Sequence, residues 1–188
     1  MIITIARQCG CCGDEIGRAL SDVYHIPFYD RRAIADMARD KGLYERYPDF
    51  YGETPMNTLM YTISEDEDLE VFHETPKKAL NELIGDEDCI VLGRCGNYAF
   101  QDREDLISVF LTGNDTGRYE RISMKHGIDW KSAKKLVVST DERRGTYHKY
   151  YTGEVWGMAG NYNLCLDISS LGNDGAVKMI EEYIRQIG

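Results

Sequence analysis

A glycine-containing loop near the start of the chain has the layout of a phosphate-binding loop. It reads Gln8-Cys9-Gly10-Cys11-Cys12-Gly13 and follows a run of β-branched and small apolar residues, 2–6, that predicts a strand. Apolar residues at helical spacing begin directly after it. A strand that leads through glycines into a helix presents backbone N–H groups and the positive helix end to an anion. The loop therefore predicts a site for phosphate groups.

The loop departs from the regular pattern G-x-x-x-x-G-K-[ST] at its most important position. When the two are aligned, Arg7 replaces the first glycine, Cys12 the second, Gly13 the lysine and Asp14 the hydroxyl residue. The lysine normally neutralises phosphate charge, whereas Asp14 and Glu15 would repel it. Taken alone, the loop is equally compatible with a tight turn whose two acidic residues complement the helix dipole.

Arginines elsewhere in the chain are the candidates to supply the missing positive charge. Phosphoryl transfer depends mostly on positioning and electrostatic stabilisation, so their convergence could replace the lysine. Arg94 follows a predicted strand, 89–92, at the edge where open α/β sheets bind ligands. The other candidates are Arg118 and Arg121, which lie one helical turn apart, and the adjacent Arg143 and Arg144. Each also has a structural alternative, as a cap, an ion-pair partner or part of a basic helix surface.

The cysteines near the loop raise the question of a metal or redox site. Cys9, Cys11 and Cys12 lie in the loop, and Cys95 comes close if its strand neighbours the first. Zinc sites pair such ligands with a second pair elsewhere, and the sequence offers no second pair or histidine cluster. We therefore predict small buried thiols and no metal ligands among them.

The pattern of elements predicts an α/β fold. Predicted strands at 2–6, 26–30, 89–92, 107–111 and 163–168 alternate with helices at 31–41, 69–84, 115–126, 129–150 and 173–187. Such alternation favours a parallel sheet covered by helices on both faces. Segment 43–64 is rich in Tyr, Gly and Pro and lacks a clean period, so we predict an irregular insert, 44–72 at its widest.

Composition excludes several classes of protein. The 188 residues fit one globular domain, and the apolar runs are far too short to cross a bilayer. A net charge of −10 repels nucleic acid and anionic membranes, so neither is expected as a partner. The first residues read as a strand and lack the features of a signal peptide, which predicts a cytoplasmic protein.

Taken together, these motifs resemble the cytidylate kinase-like family of nucleoside monophosphate kinases over nearly the full chain. The matching residues are Ile2, Ile5, Arg7-Gln8, Gly10, Gly13, Glu15-Ile16-Gly17, 26–30, 91–95, Arg118, Arg121, Asp141, Arg144, Tyr147, Trp156 and Asn161-Tyr162. The family's loop also commonly lacks the lysine, although it often has a basic residue where this chain has Asp14.

The resemblance implies a three-layer α/β/α fold of the P-loop type with a five-stranded parallel sheet. It also implies a single kinase-like domain over 1–188, a monophosphate-binding insert at 44–72 and a mobile lid within 118–160. The implied activity transfers the γ-phosphoryl group of ATP, with Mg²⁺, to a small acceptor such as CMP. Two alternatives stay open: a catalytically impaired nucleotide-binding or regulatory protein, and a kinase of another small metabolite.

The residue patterns and the resemblance together suggest a role for each candidate residue. The donor phosphates would be held by Gly10, Cys11, Cys12, Gly13, Asp14 and Glu15. The acceptor would contact Arg94 and Asp30, although a turn aspartate after a strand is the common structural explanation for Asp30. The charge of the transferring group would be neutralised by Arg94, Arg118, Arg121, Arg143 and Arg144.

Overall fold

The computed structural model describes residues 1–52 and 69–188, and within them a parallel sheet forms the centre of the molecule. The strands are β1 (Ile2–Arg7), β2 (Phe28–Tyr29), β3 (Cys89–Leu92), β4 (Leu106–Thr112) and β5 (Leu164–Asp167). They run in the order β2-β3-β1-β4-β5, with Ile3 of β1 opposite Ile90 of β3 and Ile107 of β4. The predicted parallel sheet is confirmed.

Helices cover both faces of the sheet, as the alternating pattern predicts. They are α1 (Gly13–Tyr24), α2 (Arg31–Asp40), α3 (Pro48–Gly52), α4 (Leu69–Ile84), α5 (Gly96–Ala99), α6 (Asp115–His126), α7 (Trp130–Thr152) and α8 (Ile168–Ile187). Helices α1 and α8 bury apolar residues such as Ile16, Leu20 and Ile180 on one face. On the other face, Leu80 of α4 and Tyr151 of α7 belong to a separate core.

The cores follow from the alternation of side chains along the central strand. Ile3 and Ile5 of β1 point into the core under α1 and α8, whereas Ile2 points into the core under α4. All three side chains are fully buried, as expected for a strand covered on both faces. The sheet thus presents a fixed edge at which the carboxyl ends of β1, β3 and β4 lie side by side.

Two elements differ from the sequence prediction. The described part of the insert is partly helical, because residues 44–46 form a 3₁₀ turn and α3 follows it. Residues 53–68 of the insert lie outside the described residues. The sequence predicts that the last helix begins at 173, and α8 contains a break at Gly172, whose φ of 66° is not helical. Residues 168–171 therefore form a separate turn ahead of the predicted helix.

Within the described residues, no helix combines the length and the apolar character that crossing a membrane requires.

Candidate active site

A cavity of about 390 Å³ opens at the carboxyl ends of β1 and β3. Its wall carries five arginine side chains from the described part of the chain, and none of the described residues on that wall is Asp or Glu. The arginines are Arg7, Arg31, Arg94, Arg143 and Arg144. In a chain with a net charge of −10, this wall is a local concentration of positive charge. Such a cavity is suited to a small ligand with several negative charges.

The turn after β3 forms the floor of the cavity and has an unusual backbone. Gly93, Arg94 and Cys95 follow one another with φ values of 80°, 56° and 52°. A left-handed conformation costs a residue other than glycine on the order of 1 kcal/mol or more, and such strain clusters at functional sites. The turn places Arg94 on the cavity wall and begins α5 directly after Cys95.

Arg94 is buried and holds the end of α3 in place. Its Nη2 donates to the carbonyl of Tyr51 at 2.6 Å, and its Nη1 donates to the carbonyl of Phe50. Nη1 also donates to the hydroxyl of Tyr147 at 3.1 Å. The Nε atom is buried, and no described residue accepts a hydrogen bond from it. Arg94 therefore lines the cavity while its terminal nitrogens hold the structure around it, and its contact with an acceptor stays a prediction.

Arg143 and Arg144 reach the cavity from the C-terminal half of α7. Arg144 donates to the carbonyl of Arg7 at 3.0 Å, which ties α7 to the end of the central strand. Arg143 is exposed and lies on the same wall. The wall also includes Tyr147, His148 and Trp156. The C-terminal part of the predicted lid, 118–160, thus borders the cavity, and the movement of the lid stays a prediction.

Arg118 and Arg121 belong to α6 and lie beside residues 8–13, the predicted phosphate-binding loop, which is called the phosphate loop below. The side chain of Arg118 is 6% exposed and forms ion pairs with Asp141 and, at 2.9 Å, with Asp115. Arg121 donates from Nε to the carbonyl of Gly10 at 2.6 Å. Neither residue is part of the cavity wall. Asp141 nevertheless links the two groups, because its other carboxylate oxygen lies 3.9 Å from Nη1 of Arg144.

The phosphate loop is packed tightly against α6 and α7. The N–H group of Cys9 donates to Asp141 at 2.7 Å, so a carboxylate occupies one amide of the loop. A Cβ atom on Gly10 would lie 2.8 Å from the carbonyl oxygen of Arg118, and the φ of 85° at Gly10 also favours glycine. Cys12 precedes α1 without a side-chain cap, and the first N–H groups of a helix have no partner within the helix. These amides are the part of the loop suited to an anion.

The acidic residues of the loop lie in the first turn of α1. Asp14 is half-buried, whereas Glu15 is exposed and lies 3.6 Å from Lys125 of α6. Both positions complement the positive end of the helix dipole. The first turn of α1 therefore combines amides that attract phosphate with carboxylates that repel it.

The loop thiols are protonated and largely buried. Burial raises the pKa of Cys11 to about 12, and it also raises the pKa of Cys9 and Cys12. All of the cysteines are free, Cys95 included. Among the described residues, no group of three or more His, Cys, Asp or Glu side chains could hold a metal ion. Raised pKa values oppose reactivity, because the thiolate is the nucleophile.

Asp30 caps α2, and its neighbour Arg31 reaches the cavity. The Asp30 carboxylate accepts from the N–H group of Ala33 at 2.9 Å, and Asp30 is not part of the cavity wall. Arg7 and Arg31 were not among the predicted site residues. Both follow or end a strand at the same sheet edge as Arg94, so the rule that identified Arg94 could have identified them too.

His148 is a buried wall residue that sequence reasoning also missed. Burial lowers its pKa to about 4, so the ring is neutral at pH 7. Its Nε2 lies 3.3 Å from a carboxylate oxygen of Glu154, whose pKa burial raises. His148 therefore contributes hydrogen-bonding capacity to the cavity and no charge.

The chain is similar to a known family and to solved structures of the same fold. The model of the cytidylate kinase-like family matches residues 2–170. An uncharacterized protein from Eubacterium ventriosum ATCC 27560 is 29% identical, with a TM-score of 0.75 over 99% of this chain and 98% of that one.

More distant structures share the fold alone. A gluconokinase from Sinorhizobium meliloti 1021 is 14% identical, with a TM-score of 0.53 over 98% of this chain and 91% of that one. A shikimate kinase from Bacteroides thetaiotaomicron is also 14% identical, with a TM-score of 0.52 over 98% of each chain. No curated protein matches the sequence. Since the family model covers most of its residues, this chain belongs to the cytidylate kinase-like family.

Proposed function

We propose that this chain is a kinase that transfers the γ-phosphoryl group of ATP to a nucleoside monophosphate, with CMP as the first candidate. The observation that carries the proposal is the cavity wall, where five arginines meet and no described residue is acidic. A monophosphate group carries close to two negative charges at pH 7, and guanidinium groups bind phosphate with charge-assisted hydrogen bonds. The family assignment supports phosphoryl transfer as the reaction.

The shape of the wall supports a nucleotide as the acceptor. Tyr147 and Trp156 lie on the same wall as the arginines, so aromatic rings and positive charge border one space. A base can stack on an aromatic ring while its phosphate contacts arginine. The volume of about 390 Å³ is within the range of small-molecule sites.

The donor would occupy the neighbouring phosphate loop. The uncapped first turn of α1 offers N–H groups to its phosphates, as in other loops of this geometry. Mg²⁺ would accompany the triphosphate and offset part of its charge, and Asp14 is the loop residue whose carboxylate could hold it, directly or through water. A cytoplasmic location, where ATP and nucleoside monophosphates are available, is part of this proposal.

One observation favours a second candidate, a nucleotide-binding protein without turnover. Asp141 already occupies the N–H group of Cys9, and Arg118 and Arg121 are engaged with carboxylates and a carbonyl. A loop held in this way can bind a nucleotide and still fail to position it for transfer. A kinase of another small anionic metabolite would use the same cavity with a different acceptor.

A panel assay distinguishes the three candidates. ATP and GTP are each combined with Mg²⁺ and CMP, UMP, AMP or GMP, and the diphosphate products are measured. Turnover with one monophosphate supports the proposal. Nucleotide binding by calorimetry without turnover supports the regulatory protein. ATP binding with indifference to every monophosphate contradicts the proposed acceptor and favours another metabolite.

A further inference from the structure

Arg7 lies between the two turns that border the candidate active site. It is the last residue of β1, and its side chain extends past Gly13 of the phosphate loop toward Gly93 of the turn after β3. A Cβ atom on Gly13 would lie 3.0 Å from Cγ of Arg7, and one on Gly93 would lie 2.8 Å from its Nη1. Arg7 therefore runs from the donor side of the site to the acceptor side.

The stem of Arg7 occupies the space beside the position where a regular loop has its lysine. Gly13 aligns with that lysine, and a side chain there would meet Cγ of Arg7 and Cδ1 of Leu92, both at 3.0 Å. Contacts this short require one of the neighbours to move. The glycine at 13 and the arginine at 7 are thus mutually dependent, since the first leaves room for the second.

The guanidinium group of Arg7 lies at the cavity wall, beside the turn after β3. Its guanidinium packs over Gly93, which has a φ of 80° and no side chain to exclude it, and Arg7 lines the cavity. The backbone of Arg7 is held by the hydrogen bond that Arg144 donates to its carbonyl at 3.0 Å. An arginine remains charged at every physiological pH, so this charge is permanent.

We propose that Arg7 replaces the missing loop lysine and contacts the phosphoryl group that passes from ATP to the acceptor. This inference rests on the proposed function. In the transfer, an acceptor phosphate oxygen forms a bond to the γ-phosphorus while the bond from that phosphorus to the β–γ bridging oxygen breaks. The electron pair of the broken bond leaves with ADP. Tetraanionic ATP and a dianionic monophosphate give two trianionic diphosphates, so no proton or further reactant is needed.

The test measures binding of two probes, Mg-ATP and inorganic tripolyphosphate, by titration calorimetry. Arg7→Met keeps an apolar stem beside Gly13 and removes the charge, so it separates charge from packing. We expect Arg7→Met and Arg7→Ala each to weaken tripolyphosphate binding by about tenfold or more. Arg7→Lys should retain part of the affinity. Arg185→Ala, which removes one charge from a distant helix where Arg185 pairs with Glu182, should bind like the wild type.

A double variant tests whether a lysine at position 13 can replace the arginine at position 7. Gly13→Lys alone should not strengthen binding, because the new side chain and the stem of Arg7 compete for one space. Combined with Arg7→Ala, the same lysine should recover about tenfold of the lost affinity, a non-additive result expected only for coupled residues. Thermal unfolding of each variant identifies any that is not folded, and Arg7→Met remains informative if Arg7→Ala fails to fold.

The outcomes separate this inference from the proposed function. If the wild type binds both probes and Arg7→Met binds them equally well, Arg7 is not the replacement, and the proposed function is unaffected. If Gly13→Lys strengthens binding equally with and without Arg7, the two positions are independent, and the claim that Arg7 replaces the lysine is wrong. If the wild type binds neither probe and transfers no phosphate, the proposed function fails, and this inference fails with it.

Discussion

The arginines beside the phosphate loop and the arginines of the cavity were indistinguishable in the sequence, and the structure separates them. Arg118 and Arg121 are engaged with carboxylates and a carbonyl that fix α6 against the loop. The cavity arginines share a wall without a described acidic residue. Arg94 and Arg144 also have protein partners, so the surface that an arginine lines, more than its partners or its place in a motif, separates the two groups.

Removing the carboxylate beside the loop should have the largest effect. Asp141→Ala deprives the buried Arg118 of an ion-pair partner and the N–H group of Cys9 of its acceptor. We expect a loss of about 3 kcal/mol in the free energy of unfolding, measured by urea denaturation. Asp141→Asn keeps an acceptor for Cys9 and should lose less. An Asp141→Ala protein within about 0.5 kcal/mol of the wild type would show that the pair does not hold the loop.

Acid should destabilise the protein through His148 on the cavity wall. Its folded-state pKa of about 4 lies below the ordinary value of 6.5, so the unfolded chain takes up the proton first as pH falls. Stability is therefore lost between pH 6.5 and pH 4, by about 3 kcal/mol. The raised pKa of Glu154 opposes part of this loss. Urea denaturation at several pH values should show a weaker dependence in His148→Gln, and an unchanged dependence would contradict the assignment.

Arg143→Ala should weaken the binding of CMP and leave the free energy of unfolding almost unchanged. For the buried Arg118 we expect the opposite, a loss of stability. Arg143 is exposed on the cavity wall, so its removal should alter the free energy of unfolding by less than about 0.5 kcal/mol. The affinity for CMP should fall by about tenfold, measured by calorimetry. Arg32→Ala removes an arginine that is 90% exposed and not part of the wall, and it serves as the control. Equal effects of the two variants would mean that only net charge matters.

A pair of glycine variants tests whether the guanidinium of Arg7 belongs to the site, and we expect the smallest effects here. Gly93 and Gly85 both have positive φ, 80° and 63°, so alanine at either should cost about 1 kcal/mol of stability. Only at Gly93 would the new Cβ displace Nη1 of Arg7, because nothing lies within 4 Å of the Gly85 position. Gly93→Ala should therefore weaken Mg-ATP binding and Gly85→Ala should not. Binding that is equal in the two variants would place Arg7 outside the site.

The sequence predicts the sheet and most helices because the apolar periods of these elements are regular. Helix α3 was missed, since its aromatic residues pack on residues that are distant in sequence, such as Tyr147 and Tyr151. The break at Gly172 depends on a single backbone conformation. No pattern within one segment indicates either feature.

The candidate site was predictable only in part. Arg94, Arg143 and Arg144 line the cavity, but the loop-side role of Arg118 depends on Asp141, which lies 23 residues away on another helix. Arg7 aligns with a glycine of the regular loop, and nothing in that alignment shows where its side chain goes. Pairings of this kind arise only when distant segments pack together, so no sequence pattern indicates them.

The central claim is that the cavity arginines, and not the loop-side pair, receive the phosphate of the acceptor. A crystal structure of the protein grown with inorganic phosphate tests it most directly. We predict a phosphate ion inside the cavity, within hydrogen-bond distance of Arg143 or Arg144, with the Arg118–Asp141 ion pair intact. A phosphate that instead displaces Asp141 and contacts Arg118, with the cavity free of anions, would contradict the account.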